Sequence, residues 1–141
     1  MKLNFTSQQR RLEGHFGDVY SCRFFPSGVV VLSGGADCQL KVWSAESGKC
    51  AATMTGHQAA ILDTAIVGRG RNVVSASRDG TAKLWDVGHS ECLATFQEVG
   101  GIINACALDT VMQNIALGCS SMEHSEFIAV QLCWSSRCIH W

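Results

Sequence analysis

The chain has 141 residues, a formal charge of −1, 47% hydrophobic residues and 16% charged ones. It is long enough to bury one sizeable core and too apolar to remain disordered. Near-neutral charge without a long basic run provides no field to gather nucleic acid or an anionic membrane, and no apolar run approaches the roughly 20 residues of a membrane span.

Residues 1–12 begin MKLNFTSQQRR, without the apolar segment of a secretory leader. They stand either where the last strand of a preceding sheet would lie or as a terminus outside the pattern that follows. Residues 13–54 open on Gly14-His15 and read as four short strands, Asp18 to Phe25, Val29 to Ser33, Gln39 to Trp43 and Lys49 to Thr53. Pro26-Ser27-Gly28, Gly34-Gly35-Ala36-Asp37 and Glu46-Ser47-Gly48 supply the turns, because Gly, Asp and Ser accept tight-turn backbone angles. Residues 55–96 repeat the pattern from Gly56-His57, with strands Ile61 to Val67, Asn72 to Ala76, Thr81 to Trp85 and Glu91 to Phe96. Residues 97–119 start a third, degenerate repeat. Its strands are Ile102 to Leu108 and Ile115 to Leu117, and Val99 and Leu117 replace the expected His and Ser. Residues 120–141 lose the period: Ser121 falls where Asp is expected and Phe127 where Trp is expected. This tail reads as a poorly matching strand pair or as a foreign end, and the second reading is adopted.

The repeats are tied by one offset. His15, Ser33, Asp37 and Trp43 recur as His57, Ser75, Asp79 and Trp85, all four displaced by the same number of positions. The Trp N–H only donates, an ionised Asp only accepts, and Ser and neutral His do both. A relay from Trp to Ser to His to Asp satisfies every member, so both sets are read as structural. A Ser-His-Asp catalytic triad is the rival. It is set aside because the set occurs twice at equal spacing and neither Ser33 nor Ser75 lies in a G-x-S-x-G elbow. A period of roughly 40 residues with GH early and WD late is the signature of a propeller blade. The expected fold is therefore all-β, with two clear four-stranded blades and a degenerate third.

The GH…D…W(D/S) spacing resembles the WD40 β-propeller family. The longer strings SQQRRLEGHFGDVYSCRFFPSG and ILDTAIVGRGRNVVSASRDGTAKLWD are similar to WD40 chaperones of proteasome base assembly. The resemblance is strong over residues 1–96, weak to about 118 and absent in the tail. It implies a non-enzymatic interaction module that binds a proteasomal ATPase subunit of the 19S regulatory particle, without cofactor, metal or small-molecule substrate. About three blades stand here where the family closes with about seven, so the chain reads as a truncated form. In the family, exposed contact positions lie three and five residues after His and one before Asp. Here these are Asp18, Tyr20 and Ala36, then Ala60, Leu62 and Arg78. Tyr20 and Arg78 are the strongest of them, as Tyr and Arg are enriched among residues that carry interface energy.

Other signals are weaker. The chain holds eight cysteines, and Cys22, Cys92 and Cys106 lie in strand-like apolar runs, where a thiol behaves as a small buried hydrophobe. That usage suits a reducing compartment, cytoplasm and nucleus. Cys133, Cys138, His140 and His124 lack the paired C-x-x-C spacing of structural zinc. Arg10-Arg11 and the pair Arg69 and Arg71 are local basic pairs, with Glu13, Asp18 and Asp63 near in sequence to balance them. The alternatives to the assembly role are a generic WD40 scaffold for another complex and a cysteine-dependent redox protein.

Overall fold

A computed structural model describes residues 9–97, 101–109, 114–121 and 125–131, with backbone alone for 121 and 125–131. Eleven strands and no helix occur among these residues. The first sheet is β1 (Val19–Phe24), β2 (Val30–Gly35), β3 (Gln39–Ser44) and β4 (Cys50–Thr55). The second is β5 (Ile61–Val67), β6 (Asn72–Ser77), β7 (Thr81–Asp86) and β8 (Glu91–Gln97). The third is β9 (Gly101–Leu108), β10 (Asn114–Ser121) and β11 (Ser125–Gln131). Each sheet is an antiparallel meander in chain order, and β5 packs between β1 and β9. Residues 9–12 form no strand, and residues 1–8 lie outside the described residues.

Tight turns make the meanders. Gly28, Gly48 and Gly80 lie in the left-handed region, at φ 74, 75 and 81. Glycine adopts it without the clash that a Cβ brings. At the repeat position of Gly80 the first sheet carries Cys38, held at φ 64.

Two apolar layers hold the sheets together. Leu32, Leu40, Val42 and Met54 of the first sheet meet Ile61, Val73 and Trp85 of the second. Val74, Ala76, Ala82 and Leu84, from the other side of the second sheet, meet Ile103, Ile115 and Leu117 of the third. The alternation of strand side chains puts successive residues of β6 into different layers, which is why the whole strand is buried. Leu117 stands where the earlier repeats carry Ser33 and Ser75. It is buried in the second layer, so the third sheet replaces a polar spoke with apolar contact.

Several sequence expectations need correcting. The third sheet does not end at 119: β11 pairs with β10 from Asn114↔Gln131 to Ser120↔Ser125. Residues 125–131 are thus a strand of the third sheet. Phe127, Ile128 and Val130 supply the β-propensity after the repeat marks are gone. Cys22 and Cys92 are exposed, along with Cys50, whereas Cys106 and Cys119 are buried. Cys22 lies on the face of the first sheet that none of the described sheets covers, and Cys92 on β8, at the edge of the second. Asp63 does not balance Arg69 or Arg71. It bonds Arg23 of β1 at 3.2 Å, while Arg71 faces Asp86 at 3.8 Å. Arg69 lies in the turn beyond the end of β5, six residues on from Asp63.

Candidate functional site

Both tetrads assemble. Trp43 Nε1 donates to Ser33 Oγ at 2.7 Å, His15 Nε2 meets the same Oγ at 2.6 Å, and His15 Nδ1 meets Asp37 Oδ2 at 2.7 Å. In the second sheet the corresponding distances are 2.8 Å for Trp85 to Ser75, 2.6 Å for Ser75 to His57 and 2.9 Å for His57 to Asp79. The indole N–H fills one side of the Ser oxygen, so the hydroxyl donates to Nε2. That assigns the neutral His tautomer with its proton on Nδ1, donating to the carboxylate. Each His ring also leans on its Trp, with centroids 6.0 Å and 5.9 Å apart. Ser75 is wholly buried and its hydroxyl is engaged on both sides. A nucleophile needs a path to substrate, and the buried Ser75 has none. The tetrads are spokes that pin the loop before each sheet to the sheet itself.

The acid ends of the two spokes differ. Asp79 is also bonded by the Gln58 amide at 3.0 Å, the Thr81 amide at 2.8 Å and the Thr81 hydroxyl at 2.6 Å. Burial works against its charge, but these donors with His57 prevail and bring its carboxyl down to about 2 from the usual 3.8. Asp37 has only amide donors from Phe16 and Gln39 beside His15; they outweigh burial and lower its carboxyl too. Burial dominates at His57 and lowers its pKa below 6.5, against the pull of Asp79.

These shifts fix the pH response. His57 is neutral in the fold while the unfolded chain takes up a proton as pH falls through about 6.5, so acidification favours unfolding there. Asp79 stabilises the fold fully above about pH 4, and that contribution is lost as pH falls towards 2. Both groups act with one sign. The urea midpoint is expected to drop from pH 8 to pH 5 and again below pH 4. The Asp79→Asn chain should lack most of the lower step. A midpoint that is flat from pH 8 to pH 5 would contradict the buried neutral His57.

The loop ends pinned by the spokes carry the six expected contact residues. Ala36 N donates to Asp18 O at 2.8 Å and Arg78 N to Ala60 O at 2.9 Å, so each sheet brings two of them side by side. Tyr20 and Leu62 are the extra residues of β-bulges, since β1 skips from Val19↔Gly35 to Ser21↔Gly34 and β5 from Ile61↔Ser77 to Asp63↔Ala76. A bulge leaves its extra residue outside the ladder and re-aims its side chain. Asp18, Tyr20, Ala36 and Arg78 are exposed, and Ala60 and Leu62 are half-buried.

Two residues of this surface were missed in the sequence. Phe16 is 89% exposed although its amide is tied to Asp37 at 3.1 Å. A Phe beside a buried His gives no sign of facing water. Asn104 is the bulge residue of the third sheet, where β9 skips from Ala105↔Gly118 to Ile103↔Cys119. It stands one full period after Leu62, so one more step of the repeat finds it. Val99, His124, Cys133, Cys138 and His140 lie outside the described residues. Among those described, no three metal-ligating side chains cluster, and no helix is long and apolar enough to cross a membrane.

The family model for the WD domain, G-beta repeat, matches residues 6–44 and 48–86, more than half of the chain. The chain is 43% identical over 68 residues to the 26S proteasome regulatory subunit RPN14 of Saccharomyces cerevisiae, covering 48% of this chain and 16% of that protein. It is 30% identical over 98 residues to the U5 small nuclear ribonucleoprotein 40 kDa protein of Dictyostelium discoideum, covering 68% of this chain and 27% of the relative. It is 35% identical over 85 residues to the human pre-mRNA-processing factor 17, covering 59% and 15%. The chain thus spans well under a third of each of these relatives.

Proposed function

This chain belongs to the WD40 family of G-beta repeats, and from that premise we propose that it is a non-enzymatic protein-binding module that acts in proteasome regulatory-particle assembly by holding an ATPase subunit. The observation that carries the reading is the 43% identity to a proteasome regulatory subunit over 68 residues. The geometry supports a binding role: pinned loops present Asp18, Tyr20, Ala36 and Arg78 to solvent on rigid bulges and turns. A backbone held in place loses little entropy on binding, which favours affinity. Burial raises the Cys106 thiol away from its reactive thiolate, which argues against a redox role for that residue.

The relatives with splicing names favour a second reading, a WD40 scaffold for another complex. A titration of the purified chain against the isolated C-terminal domains of the proteasomal ATPases separates the two. Saturable binding to one domain is expected. Tyr20→Ala combined with Arg78→Glu should weaken it tenfold or more, the order of a hot-spot loss, with the tryptophan fluorescence unchanged. No binding by a folded chain would reject the ATPase reading, and unchanged affinity in the double variant would remove this surface from the interface.

A further inference from the structure

The six exposed large hydrophobic residues among those described are unevenly spread. Phe16, Val19, Tyr20, Phe24 and Val29 belong to the first sheet or its flanking loops, and only Leu93 lies elsewhere. Phe24 is 66% exposed. Leu12, Val19, Cys22, Val31 and Trp43 also line an open hollow of about 160 Å³ on this side.

The second sheet shows what covers such a face. Ile61, Thr64 and Val73, each one period after Val19, Cys22 and Val31, are fully buried there. The first sheet covers them through a knob and a seat. Ile61 rests on Gly34, where an added Cβ would lie 2.7 Å from Ile61 Cγ2. The period repeats the pair once: Ile103 follows Ile61 by one repeat, Ala76 follows Gly34 by one repeat, and both lie in the second apolar layer. One knob and one seat are then left over. Val19 is the knob on the open face of the first sheet. Gly118 is the seat on the third sheet, facing away from the second, because Leu117 and Cys119 on either side of it point inward. Gly118 pairs with Ala105, and Ala116 with Ala107, so the part of this outer face formed by β9 and β10 is built of small residues. Large side chains on one face fit small ones on this part of the other.

We propose that two copies of this chain pair head to tail, the open face of the first sheet of each seated on the outer face of the third sheet of the other. Three sheets from each of two copies make a six-sheet ring. That lies within the range of about four to eight blades at which propellers close. The two seams are identical under a twofold axis, as closure of a heterologous contact requires. Ala105 stands where Ser21 and Asp63 reach across to the next sheet, so at this position the seam between copies is apolar. The inference is independent of which partner the loops bind.

Sedimentation velocity over a dilution series tests it. The purified chain is expected to run with the mass of two chains and to fall to one on dilution. Val19→Lys and Gly118→Val should each give the single-chain mass with an unchanged circular dichroism spectrum. Ala116→Lys probes the same seat should Gly118→Val fail to fold. An equal mixture of Val19→Lys and Gly118→Val chains should regain the two-chain species at higher concentration, because one of its seams joins an intact knob to an intact seat. A wild-type chain that stays single at every concentration would overturn the proposal. So would a two-chain species that both Gly118→Val and Ala116→Lys leave intact, which would mean like faces meeting, or assemblies longer than two.

Discussion

Trp85→Ala is expected to cost about 3–5 kcal/mol, the range for deleting a buried tryptophan. That is much of the roughly 5–15 kcal/mol that holds an ordinary domain together. Three losses coincide. The ring is 1% exposed and forms part of the layer between the first two sheets, so its removal leaves a cavity beside Leu40 and Val42. Its N–H leaves Ser75, whose oxygen is then short of a donor in a dry site. The loop before the sheet also loses its floor: an added Cβ at Gly56 would lie 3.1 Å from the ring's Cη2. Trp85→Phe keeps most of the apolar volume and deletes only the donor, so about 1–2 kcal/mol is expected. Urea unfolding of the three chains gives the comparison. Less than about 1 kcal/mol for Trp85→Ala would mean that the first two sheets do not depend on this layer.

The spokes were legible because they are polar and periodic. Trp, Ser, His and Asp can satisfy one another in few orders, and an offset shared by four residue types marks them as one unit. Strand alternation was legible for a related reason, since most turns carry Gly where left-handed backbone is needed. Alternation tells which residues share a face, however, and not whether another sheet covers it. Cys22 and Thr64 hold the same repeat position, yet one is exposed and the other buried. The third sheet hid for a different reason. Leu117 serves packing instead of a hydrogen-bond relay, and packing tolerates many residues, so no mark survives in the sequence. Asp63 was misassigned because its partners lie 40 and 43 residues away, on two other sheets.

That carboxylate is the subject of the second large effect. Asp63→Ala is expected to cost about 2–4 kcal/mol, most of it at the third sheet. One Asp63 oxygen accepts from Arg23 at 3.2 Å and from the Thr64 amide at 2.8 Å. The other accepts from the Cys106 amide at 3.0 Å. β9 pairs with β10 on one side only, so alternate amides point out of the ladder. The Cys106 amide is one of these, and Asp63 is its acceptor. A half-buried amide left without a partner costs about 1–3 kcal/mol, and charge-assisted bonds are roughly twice as strong as neutral ones. Hydrogen exchange locates the effect. In Asp63→Ala the Cys106 amide should exchange about 10- to 100-fold faster, and its neighbours in β9 should follow as the sheet opens locally. Amides of β2 and β3, away from the lost bonds, should change least. Asp63→Asn keeps one acceptor oxygen but not the charge, so its exchange rates should fall between the two. Equal acceleration across all three sheets would instead mean that the chain opens as one unit and that Asp63 holds no sheet in particular.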